Sequence, residues 1–155
     1  MDIEKLKNEY AVLEKKYKLS TFSELNSSFD IEKIDDDTEL LAKNIRKIMM
    51  DKILNSVSWL DMLINQMNAP RIYQPYFRTM SMKDKENLIK IYDQLGALSL
   101  TSLSLEIDSN EKKECDAIKE IYSVWKSVKP SLIQVIDTIR IPPSTSTKKE
   151  RNYFG

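Results

Sequence analysis

The sequence predicts an all-α fold, an up-and-down helical bundle of about four main helices plus a short connector helix, and three observations predict it. The 155 residues hold only two glycines and five prolines, where average usage of about 7% Gly and 5% Pro would give roughly 18. Apolar residues recur every three or four positions along most of the chain, the period of a helix with one face turned inward. Capping residues stand where these stripes begin. The length fits one domain, set at residues 1–141, followed by a C-terminal tail at 142–155 whose Pro-Pro-Ser-Thr-Ser-Thr start cannot bury enough apolar surface to offset ordering. With 41% apolar and 31% charged residues, the chain can both fill a core and solvate its outside.

The first stripe, Ile3, Leu6, Tyr10, Leu13 and Tyr17, predicts a helix over 2–18. Thr21-Phe22-Ser23-Glu24 has the form of a capping box, with the hydroxyl and the carboxylate each reaching a first-turn amide. A short helix over 22–28 follows, packing Phe22, Leu25 and Phe29. Asp35-Asp36-Asp37-Thr38 sets capping side chains and negative charge at the start of a long helix. Its inward row runs Leu41, Ile45, Ile48/Met49, Ile53, Val57, Leu60, Ile64 and Met67 until Pro70 stops it. Around Val57 to Met67 apolar residues spread over most of the circumference, which predicts that this half is the central, buried one. Residues 69–80, with Pro70 and Pro75, read as a long aromatic loop. Ser81 opens the next helix, carrying Leu88, Ile91, Leu95, Leu98 and Leu103; residues 98–107 also alternate with period two, so a strand competes there. Helix is preferred because no partner strand exists elsewhere. Asp108-Ser109-Asn110-Glu111 reads as a turn and cap for a last helix along Ile118, Ile121, Trp125, Val128, Leu132, Val135 and Ile139. Pro130 inside it predicts a kink or a break into two pieces, since it lacks an amide donor and clashes with the carbonyl four residues back.

Composition narrows the chemistry. There is no histidine, which excludes Ser-His-Asp and Cys-His dyads, zinc sites of the Cys2His2 type, HExxH proteases and the Glu-x-x-His di-iron sites of helical bundles. One cysteine, Cys115, can make neither an internal disulfide nor a thiolate cage, so a reducing compartment is expected. The charged start Met1-Asp2-Ile3-Glu4-Lys5 lacks the apolar region of a signal peptide, and the expected location is cytoplasmic. The densest apolar stretch, 57–67, falls short of the roughly 20 residues of a membrane span. Lysine plus arginine balance aspartate plus glutamate at 24 each, without the basic excess of a nucleic-acid domain. Neither membrane nor nucleic acid is an expected partner, and no cofactor or metal is expected.

Two stretches carry a resemblance. Tyr17-Lys18-Leu19-Ser20-Thr21-Phe22-Ser23-Glu24-Leu25-Asn26-Ser27-Ser28-Phe29-Asp30-Ile31 resembles the "Y-x-L-P-S-F-E-E-L-N-x-x-F-E-I" opening of a family of small, uncharacterised archaeal helical proteins, with Ser20 in place of the usual proline. The runs 91–95, 103–108 and 125–130 are similar to that family's second half. The resemblance covers roughly residues 1–140 and implies a helical fold without an assigned activity.

Each chemical constellation has a plain structural alternative. Asp35 to Asp37 could offer oxygen ligands to Mg²⁺ or Ca²⁺, yet lacks calcium-loop spacing, and a helix start explains it. Asp84, Glu86, Glu106, Asp108, Glu111 and Glu114 could pair as acid and base, but read as solvated helix ends. Cys115 has no histidine to activate it and reads as an inert, partly buried residue. The methionines, among them Met49, Met50, Met62, Met67, Met80 and Met82, read as core filler. The 69–80 segment is the most suggestive: Arg71, Tyr73, Tyr76, Phe77 and Arg78 are residue types that anchor interfaces, although the plainer reading is an aromatic lid folded back over the end of the bundle. The tail residues Arg151, Tyr153 and Phe154 form a second candidate motif. The expected function is a non-enzymatic helical interaction module or scaffold that meets a protein partner or a second copy through the aromatic loop. The alternative is a bundle enclosing an apolar small molecule or lipid near Trp59 and Trp125; a carboxylate-only metal enzyme is a third option.

Overall fold

Helices account for most of the described backbone in a computed structural model of the chain, which describes residues 2–34, 40–65, 67 and 69–140 and, for Tyr76, the backbone alone. Six α-helices and one short 3-10 turn are present among these residues, and no strand. The elements are α1 (Ile3–Tyr17), α2 (Phe22–Phe29), a 3-10 turn (Ile31–Lys33), α3 (Leu41–Ile64), α4 (Gln74–Thr79), α5 (Met82–Ile107) and α6 (Glu111–Arg140). The 98–107 segment is therefore helical along its whole length. Its alternation left Leu98 and Leu105 inside and Leu100 and Leu103 outside.

The three long helices α3, α5 and α6 pack on one another, and α1 and α2 lie against them. The shared interior is built from Ile45, Met49 and Ile53 of α3, Leu88, Leu95 and Leu98 of α5, and Ile118, Ile121 and Val128 of α6. The α1 stripe closes on this core through Leu6, Tyr10 and Leu13. Tyr10 is fully buried, and its hydroxyl donates to the Ser20 carbonyl at 2.5 Å, so the phenol is satisfied although burial pushes its pKa well above the usual value. The Thr21–Glu24 capping box forms in both directions, and Phe22 meets the Tyr10 ring edge-on at 5.6 Å. In a chain this poor in glycine, α1 and α2 end on Lys18 and Asp30, each in the left-handed region at φ 55°, a conformation that usually falls to glycine at this position.

Several expectations need correction. The 69–80 segment is not one uninterrupted loop: α4 occupies half of it. Pro75 stands in the first turn of α4, where its missing amide costs nothing and its fixed φ favours the helix. Pro130 does not break α6, which runs unbroken from Glu111 to Arg140. Both Pro130 and Lys126, whose carbonyl loses its amide partner, are exposed, so water can take the place of that bond. Burial in α3 is not concentrated in its second half: Ile45, Met49, Met50 and Ile53 are buried, and of the 57–67 stretch Leu60 and Leu63 are buried too, whereas Val57 and Trp59 are half-buried and Met67 is 96% exposed. Apolar residues spread around a helix do not by themselves say which end meets its neighbours. α3 also ends at Asn65 (φ −92°, ψ 86°) rather than at Pro70. The capping run Asp35–Thr38 lies outside the described residues; α3 as described opens at Leu41, with no side-chain cap on Leu40.

Candidate functional site

The connection between α3 and α5 holds the candidate interface residues. Tight turns fold it up: the Tyr73 amide donates to the Pro70 carbonyl at 2.9 Å, and the Phe77 amide to the Tyr73 carbonyl at 3.2 Å. Tyr73, the N-cap residue of α4, and Phe77 stand four residues apart and so share one face, and both are half-buried against the core. Lys85 of α5 lies with its Nζ 4.9 Å from the centre of the Phe77 ring, a cation–π contact. The outward side carries Arg71 and Arg78, both exposed, with Ile72 at 69% and Met67 at 96% exposure. Of the sequence-predicted residues, the two arginines thus stand at the surface and Tyr73 and Phe77 pack inward. The Tyr76 side chain, and Arg151, Tyr153 and Phe154, lie outside the described residues. The methionines divide: Met49, Met50 and Met80 fill the core, while Met67 and Met82 are exposed.

A second feature escaped the sequence reading. Arg46, in the second turn of α3, is 1% exposed. Its Nε donates to Glu114 Oε2, its Nη1 to Ser102 Oγ and its Nη2 to Glu106 Oε1, each at 2.5 Å. One guanidinium therefore ties the end of α5 and the start of α6 to the start of α3. Burial alone would lower the pKa of Arg46, but its hydrogen bonds to Glu106 and Glu114 outweigh that and raise it. Those same bonds hold the Glu106 carboxyl below the usual carboxylate range. Glu114 is 0% exposed, which overturns its reading as a solvated helix-end acid; its Oε1 has no hydrogen-bond partner among the described residues. Sequence could have hinted at this centre only through an arginine set beside the inward row of α3. Nothing in the spacing of Glu106 and Glu114 said that they converge on it.

The other helix-end acids have simpler partners. Asp84 accepts the Ser81 hydroxyl, Asp108 pairs with Lys113, and Glu111 accepts from Lys16 and Tyr17, at 2.7 Å each. Cys115 is fully buried; burial and, secondarily, the Glu111 charge push its thiol up to about 11, so it is no nucleophile at neutral pH. Trp125 packs its ring 5.8 Å from that of Phe29. A surface groove of about 260 Å³ lies between α1, α3 and the start of α6, lined by Glu9, Val12, Leu13, Leu41, Ala42 and Glu111. No helix among the described residues is long and apolar enough to cross a membrane, and no group of three or more potential metal-ligating side chains of the His, Cys, Asp or Glu type gathers among them.

No family model matches the chain, and no curated protein or solved structure matches it.

Proposed function

We propose that this chain is a non-enzymatic, cytoplasmic helical interaction module, a four-helix up-and-down arrangement in which α1 serves as the fourth member beside α3, α5 and α6. Its contact surface is the α3–α5 connection, offered to a protein partner or a second copy. The observation that carries the reading is the pairing of exposed Met67 and Ile72 with the exposed guanidinium groups of Arg71 and Arg78, on a segment that Tyr73 and Phe77 pin to the core. A pinned segment loses little conformational freedom on binding, and apolar residues rimmed by arginine are the composition of a contact patch. Membership of the small archaeal helical family belongs to the same proposal. It rests on residues 17–31, whose Thr21–Glu24 box, Leu25, Phe29 and Ile31 serve as cap and core.

The test places a photo-crosslinking residue at position 72, with position 129, exposed on α6, as control. Crosslinks from position 72 to one protein species, absent from 129, are the expected result. The same products from both positions, or none from 72, would overturn the reading.

A further inference from the structure

Acidic residues are spread along most of the chain, yet none stands between Asp61 and Asp84. That run contains the whole α3–α5 connection, and its cations are Arg71, Arg78 and Lys83, all exposed. The residue type is informative as well. Lysine supplies most of the chain's 24 cations and arginine only five, and two of those five stand seven residues apart here. Arg46 pairs with two carboxylates; Arg71 and Arg78 make no hydrogen bond or ion pair with a described residue. The backbone aligns them. The Gln74 amide donates to the Arg71 carbonyl at 3.3 Å, and Tyr73 has helical dihedrals (φ −92°, ψ −17°), so the helical path of α4 begins before Gln74. Seven residues along such a path make close to two turns, which sets both arginines on the outward face about 10 Å apart, opposite Tyr73 and Phe77. Ile72, 69% exposed, lies beside Arg71.

We propose that this face binds an acidic, apolar segment of a partner protein: two carboxylates spaced to meet Arg71 and Arg78, flanking an apolar side chain that covers Ile72. The inference rests on the reading of the α3–α5 connection as the contact surface and names the chemistry of its partner. A guanidinium offers a carboxylate two parallel N–H bonds, a geometry that lysine lacks, and both guanidinium groups here are uncommitted. Neighbouring charges are already engaged: Lys85 with the Phe77 ring and Asp84 with the Ser81 hydroxyl. Charge also argues against a second copy paired face to face. Applied to itself about a two-fold axis, an acid-free face meets only cations, so Arg71 and Arg78 would face the same groups with nothing to neutralise them. A nucleic-acid backbone is matched by a wider basic stripe, and an anionic membrane by a denser basic cluster. Here two arginines are spaced about two turns apart, with apolar Ile72 between them.

Panning a display library of random linear peptides against the full chain tests it. The enriched peptides carry two Asp or Glu residues flanking an apolar one. They bind the native chain at least tenfold more tightly than the Arg71→Gln, Arg78→Gln chain, whose circular dichroism is unchanged because both positions are exposed. The Arg71→Lys, Arg78→Lys chain keeps the charge and still loses affinity for the same peptides severalfold. Enrichment of peptides without acids, no enrichment, or full affinity in the charge-keeping chain overturns the proposal. Tighter binding to single-stranded RNA or to phosphatidylserine vesicles that depends on Arg71 and Arg78 overturns it too, since the cations would then serve phosphate. So does a mass above 18.1 kDa in light scattering that Arg71→Gln with Arg78→Gln abolishes, because a second copy would be the occupant. A crosslink from position 72 to one protein species that persists in the Arg71→Gln, Arg78→Gln chain would sink this inference and leave the proposed function standing.

Discussion

Replacing Arg46 by methionine keeps most of its volume and removes the cation that pairs with Glu114. Three bonds are lost, and they differ in weight. Glu106 has a 44% exposed side chain and can turn to water, so its pairing contributes under about 1 kcal/mol. The Ser102 hydroxyl contributes about 1 kcal/mol. Glu114 is fully buried, and stripping a buried charge of its partner costs about 3–5 kcal/mol, which dominates. Against a total stability of about 5–15 kcal/mol, Arg46→Met leaves a folded but weakened protein. With a urea slope of about 2 kcal/mol/M, the unfolding midpoint falls by about 2 M. The companion variant Arg46→Met with Glu114→Leu buries no charge and returns to within about 1–2 kcal/mol of the native chain, because apolar replacement of a whole buried pair is close to neutral. Urea titration followed by circular dichroism and tryptophan fluorescence reads both. A single variant shifted by less than about 0.5 M, which at that slope is about 1 kcal/mol, would refute the assignment of Arg46 as the counter-charge of a buried carboxylate. A double variant as weak as the single one would refute it too.

Two further predictions concern titration and reactivity. Glu24 is held below the ordinary carboxylate range by the Thr21 amide and hydroxyl, Glu106 by Arg46, and Glu111 by Lys16 and Tyr17; the unfolded chain therefore binds more protons as the pH drops, and this stability is complete above the ordinary value of about 4.3 and lost as pH falls through the folded values. Urea midpoints should be level between pH 7 and 5.5 and decline below about pH 4, less steeply in Arg46→Met; a midpoint that rises on acidification contradicts the sign. Cys115, buried with its thiol pushed up to about 11, should react with an aromatic disulfide reagent at pH 8 only at the rate of unfolding, and fast labelling of the native protein would refute its burial.

What the sequence discloses and what it hides follow the range of the interactions. The Thr21–Glu24 box, the Asn110 cap on the Lys113 amide and the stripe of α6 are set by neighbours within one turn, and each is where the pattern puts it. α4 is hidden in the sequence because Pro70 and Pro75 suggest a loop, although a proline in a first turn starts a helix as readily as it ends one. Of the described residues in the 57–67 stretch, only Leu60 and Leu63 are fully inside, because apolar residues around the circumference do not say how much of it the other helices reach. Arg46 and its partners are 56 to 68 residues apart, and no local rule speaks across that distance. At the interface candidate, the residue types were readable but their orientation was not: Tyr73 and Phe77 turn inward while Ile72 turns out.

The guanidinium at the meeting of three helices also fixes alignment. The turn at 108–110 brings Glu106 and Glu114 toward each other from adjacent helices, so a hairpin of α5 and α6 alone would carry two facing carboxylates and no cation between them. α3 can dock productively in one vertical position only. Slid by a turn in either direction, it would set Ala42 or Met50 against Glu114, sealing an ion in hydrocarbon. The apolar rows of α3 repeat closely enough to tolerate such a slip, so hydrophobic burial alone leaves its height along the bundle loosely determined. Arg46 acts as the index mark on an otherwise repetitive ruler, and the chain reads its own alignment from that one charge.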